Sequence, residues 1–196
     1  EALAAGGLVA APTDTQYALC ALASRGAAVM RCYAVKHRPD DESMPIFLPD
    51  LSWLTRVATD MPDVVQALAE AAWPGPLTLV LARNPAWRSL ATPGKTVAVR
   101  IPNHPLALAL LAAVGEPITG SSANRRGEPA PLSAEAVHAA LGDDVTVLPT
   151  LGVAPQGTAS TILDCTYAEP RIVRAGALSD ERVAELLARD LAAPSA

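Results

Sequence analysis

Hydroxyl-bearing and cationic side chains recur in this sequence at the ends of predicted strands and helices. They belong to no standard catalytic motif, because the chain has no G-x-x-x-x-G-K-[ST] loop, no G-x-G-x-x-G turn and no H-E-x-x-H pair. Alcohols and fixed positive charges favour an anionic ligand that is positioned and stabilised electrostatically, without a covalent nucleophile. The set consists of Thr15, Lys36, Arg38, Arg100, Ser122, Asn124, Ser160 and Arg174.

The first hydroxyls of this set follow a predicted strand directly. Residues Gly7 to Ala11 are small or apolar and predict a buried strand, which Pro12 ends. The polar turn Thr13-Asp14-Thr15 comes next, at the carboxyl end of the strand, where open α/β sheets bind their ligands. A second interpretation stays open, in which this turn only satisfies its own backbone groups.

Lys36 and Arg38 follow a predicted helix over residues 26–35, and Pro39 prevents its continuation. Cations at a helix C-terminus complement the helix dipole, which explains their charge but not their spacing. The acidic run from Asp40 to Glu42 either pairs with these cations or helps to hold a divalent ion, and we favour pairing. Arg100 ends a predicted strand and forms either a surface ion pair or a planar fork for a carboxylate or phosphate.

The composition predicts one globular domain over residues 1–196. Hydrophobic residues make up 51% and charged residues 18%, and the net charge of −5 argues against a protein whose main ligand is a nucleic acid. Apolar runs are interrupted well before ~20 residues, so we expect no membrane span. The three scattered cysteines indicate reduced thiols in a cytoplasm. We expect His37, His104 and His138 at the surface, without metal-ligand spacing.

Predicted strands and helices alternate along the chain, which indicates a layered α/β fold. After a helical tail over residues 1–5, we predict helices over 26–35, 51–58, 62–73, 105–114, 133–141 and 180–191. The predicted strands are 7–11, 46–48, 77–81, 96–101, 117–119, 145–148, 160–164 and 171–174. Residues 120–127 form a small, hydroxyl-rich loop, which is either a simple turn or a site of close backbone approach to a ligand.

Seven segments, in order, resemble the YrdC-like family of threonylcarbamoyl-AMP synthases and cover nearly the whole chain. Each is weak alone, but Lys-x-Arg followed by Ser-x-Asn is fairly specific. The segments are Pro12-Thr13-Asp14-Thr15-x-Tyr17-x-Leu19, Lys36-x-Arg38-Pro39, Pro74-Gly75-Pro76-x-Thr78, Val97-Ala98-Val99-Arg100-Ile101-Pro102, Ser121-Ser122-Ala123-Asn124-x-x-Gly127, Ser160-Thr161-Ile162-Leu163-Asp164 and Arg174-x-Gly176.

The resemblance implies a single-domain YrdC-like fold, one twisted mixed α/β sheet with flanking helices and a concave active site. It implies that L-threonine, bicarbonate and ATP give threonylcarbamoyl-AMP and pyrophosphate, with Mg²⁺ and with catalysis by Lys36 and Arg38. Threonine would be held by Thr15, Arg100, the Gly120 backbone and Ser160. The nucleotide would be held by Lys36, Arg38, Glu42, Thr96, Ser122, Asn124, Ala130 and Arg174. No metal ligand is assigned.

The implied product feeds threonylcarbamoyl modification of tRNA in the cytoplasm through a tRNA threonylcarbamoyl transferase complex, and weak tRNA binding is compatible with this. Four positions depart from the family pattern: Ala18 and Cys20 replace glycines, Phe47 replaces a histidine of some members, and Arg125-Arg126 replaces a more apolar pair. Two rival functions stay open. One is a carbamoyltransferase-type domain that makes carbamoyl-adenylate, and the other is a non-catalytic RNA-binding module of the same fold.

Overall fold

Ten strands and six helices follow one another along residues 1–191, the part of the chain that the computed structural model describes. The strands are β1 Leu8–Pro12, β2 Tyr17–Cys20, β3 Ile46–Phe47, β4 Leu77–Ala82, β5 Thr96–Arg100, β6 Ile118–Thr119, β7 Ser121–Ser122, β8 Val145–Val147, β9 Thr161–Asp164 and β10 Arg171–Arg174. The helices are α1 Gly26–Lys36, α2 Leu54–Val57, α3 Asp63–Ala72, α4 Pro105–Val114, α5 Ala134–Leu141 and α6 Asp180–Leu191. The predicted α/β class is confirmed.

The strands form two hydrogen-bonded sheets, where the resemblance implied a single one. One sheet has the order β7-β2-β1-β8 and the other has the order β10-β9-β4-β5-β3-β6, and both mix parallel with antiparallel pairs. The chain passes from one to the other within five residues, because β6 pairs with β3 while β7 pairs with β2. Gly120, which separates these two short strands, marks the boundary between the sheets.

β1 is covered on both faces, as its unbroken apolar sequence predicts. All five residues are buried, and alternate side chains enter different apolar clusters. Leu8 and Ala10 belong to the main core, whereas Val9 and Ala11 pack with α4 and the end of β2. This double coverage fixes the strand that carries the Thr13–Thr15 turn.

The positions of proline and glycine in the sequence predicted several helix ends correctly. Helix α4 begins with Pro105 at its first turn and ends at Gly115, whose φ of +69° is the left-handed conformation that favours glycine. The N-cap, however, is His104, which is fully buried. Its Nδ1 accepts from the Leu106 N–H at 3.2 Å and its Nε2 lies 3.0 Å from the Val153 carbonyl oxygen. The expectation of a surface position is therefore wrong for His104.

Two strands were missed and one helix was wrongly predicted. The residues after the Thr13–Thr15 turn form β2, which returns antiparallel to β1 with Pro12 opposite Tyr17. Ser121–Ser122 of the predicted loop pair with β2 as β7. Residues 1–5 form hydrogen-bonded turns that end at Gly6, not a helix. Among the residues that the structure describes, no helix is long and apolar enough to cross a membrane.

Candidate active site

A cavity of about 300 Å³ opens where the two sheets meet, and both sheets contribute to its lining. The turn after β1 and the strand β7 supply one side, and β3, β4, β5 and β9 supply the other. Seven of the predicted site residues line this cavity. They are Thr15, Arg38, Arg100, Gly120, Ser122, Ser160 and Arg174.

Arg100 is the most constrained cation of the cavity, with only 3% of its surface exposed. Its Nε donates to the Gly75 carbonyl at 2.9 Å, its Nη1 donates to Thr15 Oγ1 at 3.0 Å, and its Nη2 donates to Asp14 Oδ1. Burial lowers the pKa of Arg100, and the adjacent Asp14 carboxylate opposes that change. A guanidinium has five N–H groups, so one on each terminal nitrogen is left for a ligand such as a carboxylate.

Ser160 and Arg174 form a second hydrogen-bonded group beside Arg100. Thr78 Oγ1 and Ser160 Oγ are 2.8 Å apart, and Arg174 Nη2 donates to both Ser160 Oγ, at 3.1 Å, and its carbonyl, at 2.7 Å. Gly176 lets the chain after β10 pass close to the backbone before β9, because a Cβ at residue 176 would lie only 2.4 Å from the Ala159 carbonyl oxygen. The hydroxyls are thus fixed by partners on β4 and β10.

The turn after β1 divides its polar side chains between local structure and the cavity. Thr13 lines the cavity, but its Oγ1 donates to the Gln16 carbonyl at 2.6 Å and accepts from the Thr15 and Gln16 backbone N–H groups, so its hydroxyl is engaged within the turn. Thr15 faces the cavity, and Asp14 pairs with Arg100 and accepts from the Asn103 N–H at 2.9 Å. Arg100, Thr15, Asp14, Thr78, Ser160 and Arg174 are called the Arg100 end of the cavity below.

Phe47 forms the floor between the two sheets. The Arg100 guanidinium carbon lies 5.8 Å from the centre of its ring, within the range of a cation–π contact. Gly120 packs on the same ring so closely that an added Cβ would lie 2.4 Å from two ring carbons. Only glycine fits at this boundary, which explains why the backbone of residue 120 reaches the cavity.

Arg38 also lines the cavity, from the segment that follows α1, and is less constrained than Arg100. Its Nη2 donates to the Ser43 carbonyl at 2.7 Å, and its Nε is 3.5 Å from Glu42 Oε2, too long for a hydrogen bond. That Nε is buried and has no hydrogen-bond partner. Glu42 also pairs with Arg126, so pairing with cations, favoured from the sequence, is confirmed for Glu42. Arg38, Glu42 and loop 122–128 are called the Arg38 end below.

Lys36 and Asn124 lie behind the wall of the cavity and do not line it. The Lys36 Nζ donates to the carbonyls of Ser122 and Asn124, the latter at 2.7 Å, and only 4% of the residue is exposed. Burial and, to a smaller extent, the nearby Arg38 charge together lower the pKa of Lys36 to about 8, while Cys32 opposes this change. Asn124 Nδ2 donates to the carbonyls of Arg125 and Glu128, and its Oδ1 is buried without a partner.

Three other predicted nucleotide contacts also lie outside the cavity lining. Thr96 is the exposed first residue of β5, opposite Ala82, and Ala130 is half-buried. Glu42 is half-buried in its ion pairs with arginines. Because no ligand contact is present for these residues, their binding roles stay predictions.

Sequence reasoning missed three residues that shape the site: Asp14 as partner of Arg100, Thr78 as partner of Ser160, and Phe47 as the floor. Asp14 and Thr78 stood in the matched motifs, so their positions were visible although their partners were not. Among residues 1–188, whose side chains the structure describes, no three His, Cys, Asp or Glu side chains converge on a metal-binding group. The three cysteines are free and buried.

The chain matches a family model for Sua5, YciO and YrdC proteins, described as telomere recombination, over residues 1–176. A putative threonylcarbamoyl-AMP synthase of Mycobacterium tuberculosis is 42% identical over 194 residues, which cover 97% of this chain and 88% of that protein. The threonylcarbamoyl-AMP synthase of Bacillus subtilis is 38% identical over 178 residues, which cover 90% of this chain and 51% of that protein.

Among solved structures, the chain is similar to Pyrococcus abyssi Sua5 complexed with L-threonine, with a TM-score of 0.88 and 34% sequence identity. The match covers 94% of this chain and 55% of the Sua5 chain, so this chain spans about half the length of that relative. The fold and the site define a mixed α/β protein with a polar cavity between two sheets. The chain belongs to the Sua5, YciO and YrdC family, which confirms the predicted resemblance. The extension of its domain over residues 177–196 stays a prediction.

Proposed function

We propose that this protein is a threonylcarbamoyl-AMP synthase, which converts L-threonine, bicarbonate and ATP into threonylcarbamoyl-AMP and pyrophosphate. One observation carries the proposal: a single cavity is lined by a buried, oriented arginine with two neighbouring hydroxyls and by a second, less constrained arginine, Arg38. Curated relatives at 38–42% identity carry this name, and the similar Sua5 structure is a complex with L-threonine.

The Arg100 end suits an amino acid. The two remaining N–H groups of Arg100 match the two oxygens of a carboxylate, while Asp14, Thr15 and Gly75 keep the guanidinium from rotating. Ser160 is held by Thr78 and Arg174 and is placed to bind a polar group of the same ligand. Such pre-oriented partners lower the entropy that is lost on binding.

The Arg38 end suits phosphate groups. The amine of threonine reacts with bicarbonate to form an N–C bond with loss of water, and a carbamate oxygen then attacks the α-phosphorus of ATP. The bond from that phosphorus to pyrophosphate breaks, so negative charge accumulates on the leaving group. Arg38 and, from the Arg100 end, Arg174 line the same cavity, so both cations could stabilise that charge. In-line alignment of carbamate and phosphate supplies much of the remaining rate enhancement.

Mg²⁺, tRNA and the partner complex enter as proposals without an assigned site. Magnesium is usually bound through phosphates and one or two carboxylates rather than by a protein cage, so we propose that it arrives with ATP and assign it no protein ligands. The product would pass to a tRNA threonylcarbamoyl transferase complex in the cytoplasm. The formal class of the enzyme would be a nucleotidyltransferase.

Pyrophosphate release from ATP tests the function when threonine and bicarbonate are added singly and together. We expect release only when both are present, and serine in place of threonine serves as the substrate control. Arg38→Ala should reduce the release strongly while the thermal melting profile stays unchanged. Turnover with carbamoyl phosphate but not with threonine would instead support the carbamoyltransferase function. Salt-sensitive tRNA binding without nucleotide turnover would support the RNA-binding module.

A further inference from the structure

One carboxylate stands between two guanidinium groups at the Arg38 end. Glu42 Oε1 pairs with Nη1 of Arg126, and Glu42 Oε2 lies 3.5 Å from Nε of Arg38. Arg38 lines the cavity, whereas Arg126 stands outside it, with 53% of its side chain exposed.

The backbone under each of the three side chains is anchored. The Arg126 N–H donates to the Lys36 carbonyl at 2.8 Å, which ties the loop to the end of α1. The Tyr33 hydroxyl donates to the Glu42 carbonyl at 2.9 Å, and the Arg38 N–H donates to the Tyr33 carbonyl at 3.0 Å. Arg126 therefore reaches Glu42 from a fixed position, and the order Arg126–Glu42–Arg38 follows from the fold.

Of the two arginines, Arg126 makes the closer contact with the Glu42 carboxylate. Arg126 makes a direct hydrogen bond to the carboxylate, whereas the Nε–H of Arg38 is buried and makes none. Without Arg126, Arg38 would be the remaining cationic partner of Glu42 among the described residues. The carboxylate would then close onto the Arg38 Nε–H, occupy that donor and cancel its charge. With Arg126 present, the three side chains together carry one net positive charge.

We propose that Arg126 is a positioning residue for nucleotide binding, which holds the Glu42 carboxylate off Arg38 so that Arg38 can donate to phosphate. The proposal rests on the proposed function in one respect, namely that the ligand at Arg38 is the triphosphate of ATP. It assigns Arg126 no contact with the nucleotide.

The test measures ATP affinity of the full chain by equilibrium dialysis and, in parallel, the KM for ATP and kcat of pyrophosphate release, both at low salt. Arg126→Ala should weaken ATP binding and raise its KM by about threefold, with kcat unchanged, because exposed ion pairs have modest coupling. Arg126→Lys should have an ATP affinity and a KM for ATP between those of Arg126→Ala and those of the unchanged protein. Glu42→Gln should strengthen binding, and Arg126→Ala/Glu42→Gln should return to the affinity of the unchanged protein or better.

Arg125→Ala is the matched control, because it removes an equal and exposed charge next to Arg126. Among the described residues, the Arg125 guanidinium makes no ion pair, so we expect less than a twofold change. The effect of Arg126→Ala on ATP affinity should shrink at high salt, because salt screens the interactions among the three charged side chains.

Several results would overturn the proposal. If Glu42→Gln does not rescue Arg126→Ala, Arg126 contacts the nucleotide itself. If Arg125→Ala loses as much affinity, the general field of the surface is responsible. If Arg126→Ala lowers kcat while the KM for ATP stays constant, the ion pair between Arg126 and Glu42 has only a structural role. The dialysis arm separates the two proposals: ATP binding without threonine-dependent pyrophosphate release refutes the synthase alone, whereas no ATP binding by the unchanged protein refutes both.

Discussion

The Arg100 end of the cavity is built on β4, β5 and β10 and on the turn after β1, whereas the Arg38 end is built on the loops that follow α1 and β7. Arg100 is 3% exposed and three neighbours accept its hydrogen bonds, but Arg38 keeps a donor without a partner. Lys36 and Asn124, expected to bind the nucleotide, are engaged with backbone carbonyls of the loop itself. The comparison indicates that the proposed amino-acid site is preformed, while the proposed nucleotide site is supported by the loop that Lys36 binds.

The largest effect should come from breaking the preformed end. We expect Arg100→Ala to lower kcat/KM for threonine by about 10²–10³-fold, because loss of the hydrogen-bonded charge pair with the threonine carboxylate costs about 3–4 kcal/mol. Steady-state kinetics with varied threonine measures this. The KM for ATP should change much less.

A second variant separates stability from binding at this position. Arg100→Ala leaves the Asp14 carboxylate without its cation, so the melting temperature should fall as well. Arg100→Met/Asp14→Asn removes both charges and should recover most of the stability without recovering threonine use. Recovery of activity by the double variant would contradict the assigned role of Arg100.

The loop-built end should respond differently to the loss of Lys36. Lys36→Met removes the donor that holds the Ser122 and Asn124 carbonyls, so the loop should shift and kcat should fall by about 10–100-fold. The KM for threonine should stay nearly constant, since the Arg100 end does not depend on this loop. Lys95→Met, at an exposed lysine, is the control for loss of charge alone. An equal loss in both variants would remove the distinction between the two ends.

The packing at the boundary between the two sheets can be tested by substituting Gly120. We expect Gly120→Ala to lower the free energy of unfolding by about 1–3 kcal/mol, because the added methyl overlaps the Phe47 ring. Chemical denaturation measures the change. Gly94→Ala is the matched control, since its methyl would lie 3.8 Å from Ser43 Oγ, an ordinary contact. Similar values for the two variants would show that Phe47 is not fixed.

The smallest expected effect is a pH dependence of stability at the loop-built end. Lys36 loses its proton near pH 8 in the folded protein but near its ordinary value of 10.5 when unfolded. Between these values the unfolded state binds more protons, so this residue makes stability rise with pH by about 1–2 kcal/mol. Denaturation at pH 8 and pH 10 should show the rise in the unchanged protein and a smaller one in Lys36→Met. Identical slopes would contradict the burial of a charged Lys36.

The sequence predicted those elements whose ends are set by local chemistry. α4 begins at Pro105 and ends before Gly115 as predicted, and Ser133 accepts the Ala136 N–H at the start of α5. The buried strand β1 followed from its apolar residues. β2 and β7 were missed because their residues lack a strand pattern of their own, and they become strands only by pairing with β1 and with each other.

The sequence by itself determined the fold class, the family and the seven predicted residues that share one cavity. Motif order and local propensity can be read from the sequence without knowledge of tertiary contacts. Only the tertiary structure decided which partners those residues have: Asp14 for Arg100, Thr78 for Ser160, and two loop carbonyls for Lys36. In all four contacts the partners lie 82 to 88 residues apart in the sequence. Such pairings depend on how the sheets meet, and no local pattern encodes that geometry.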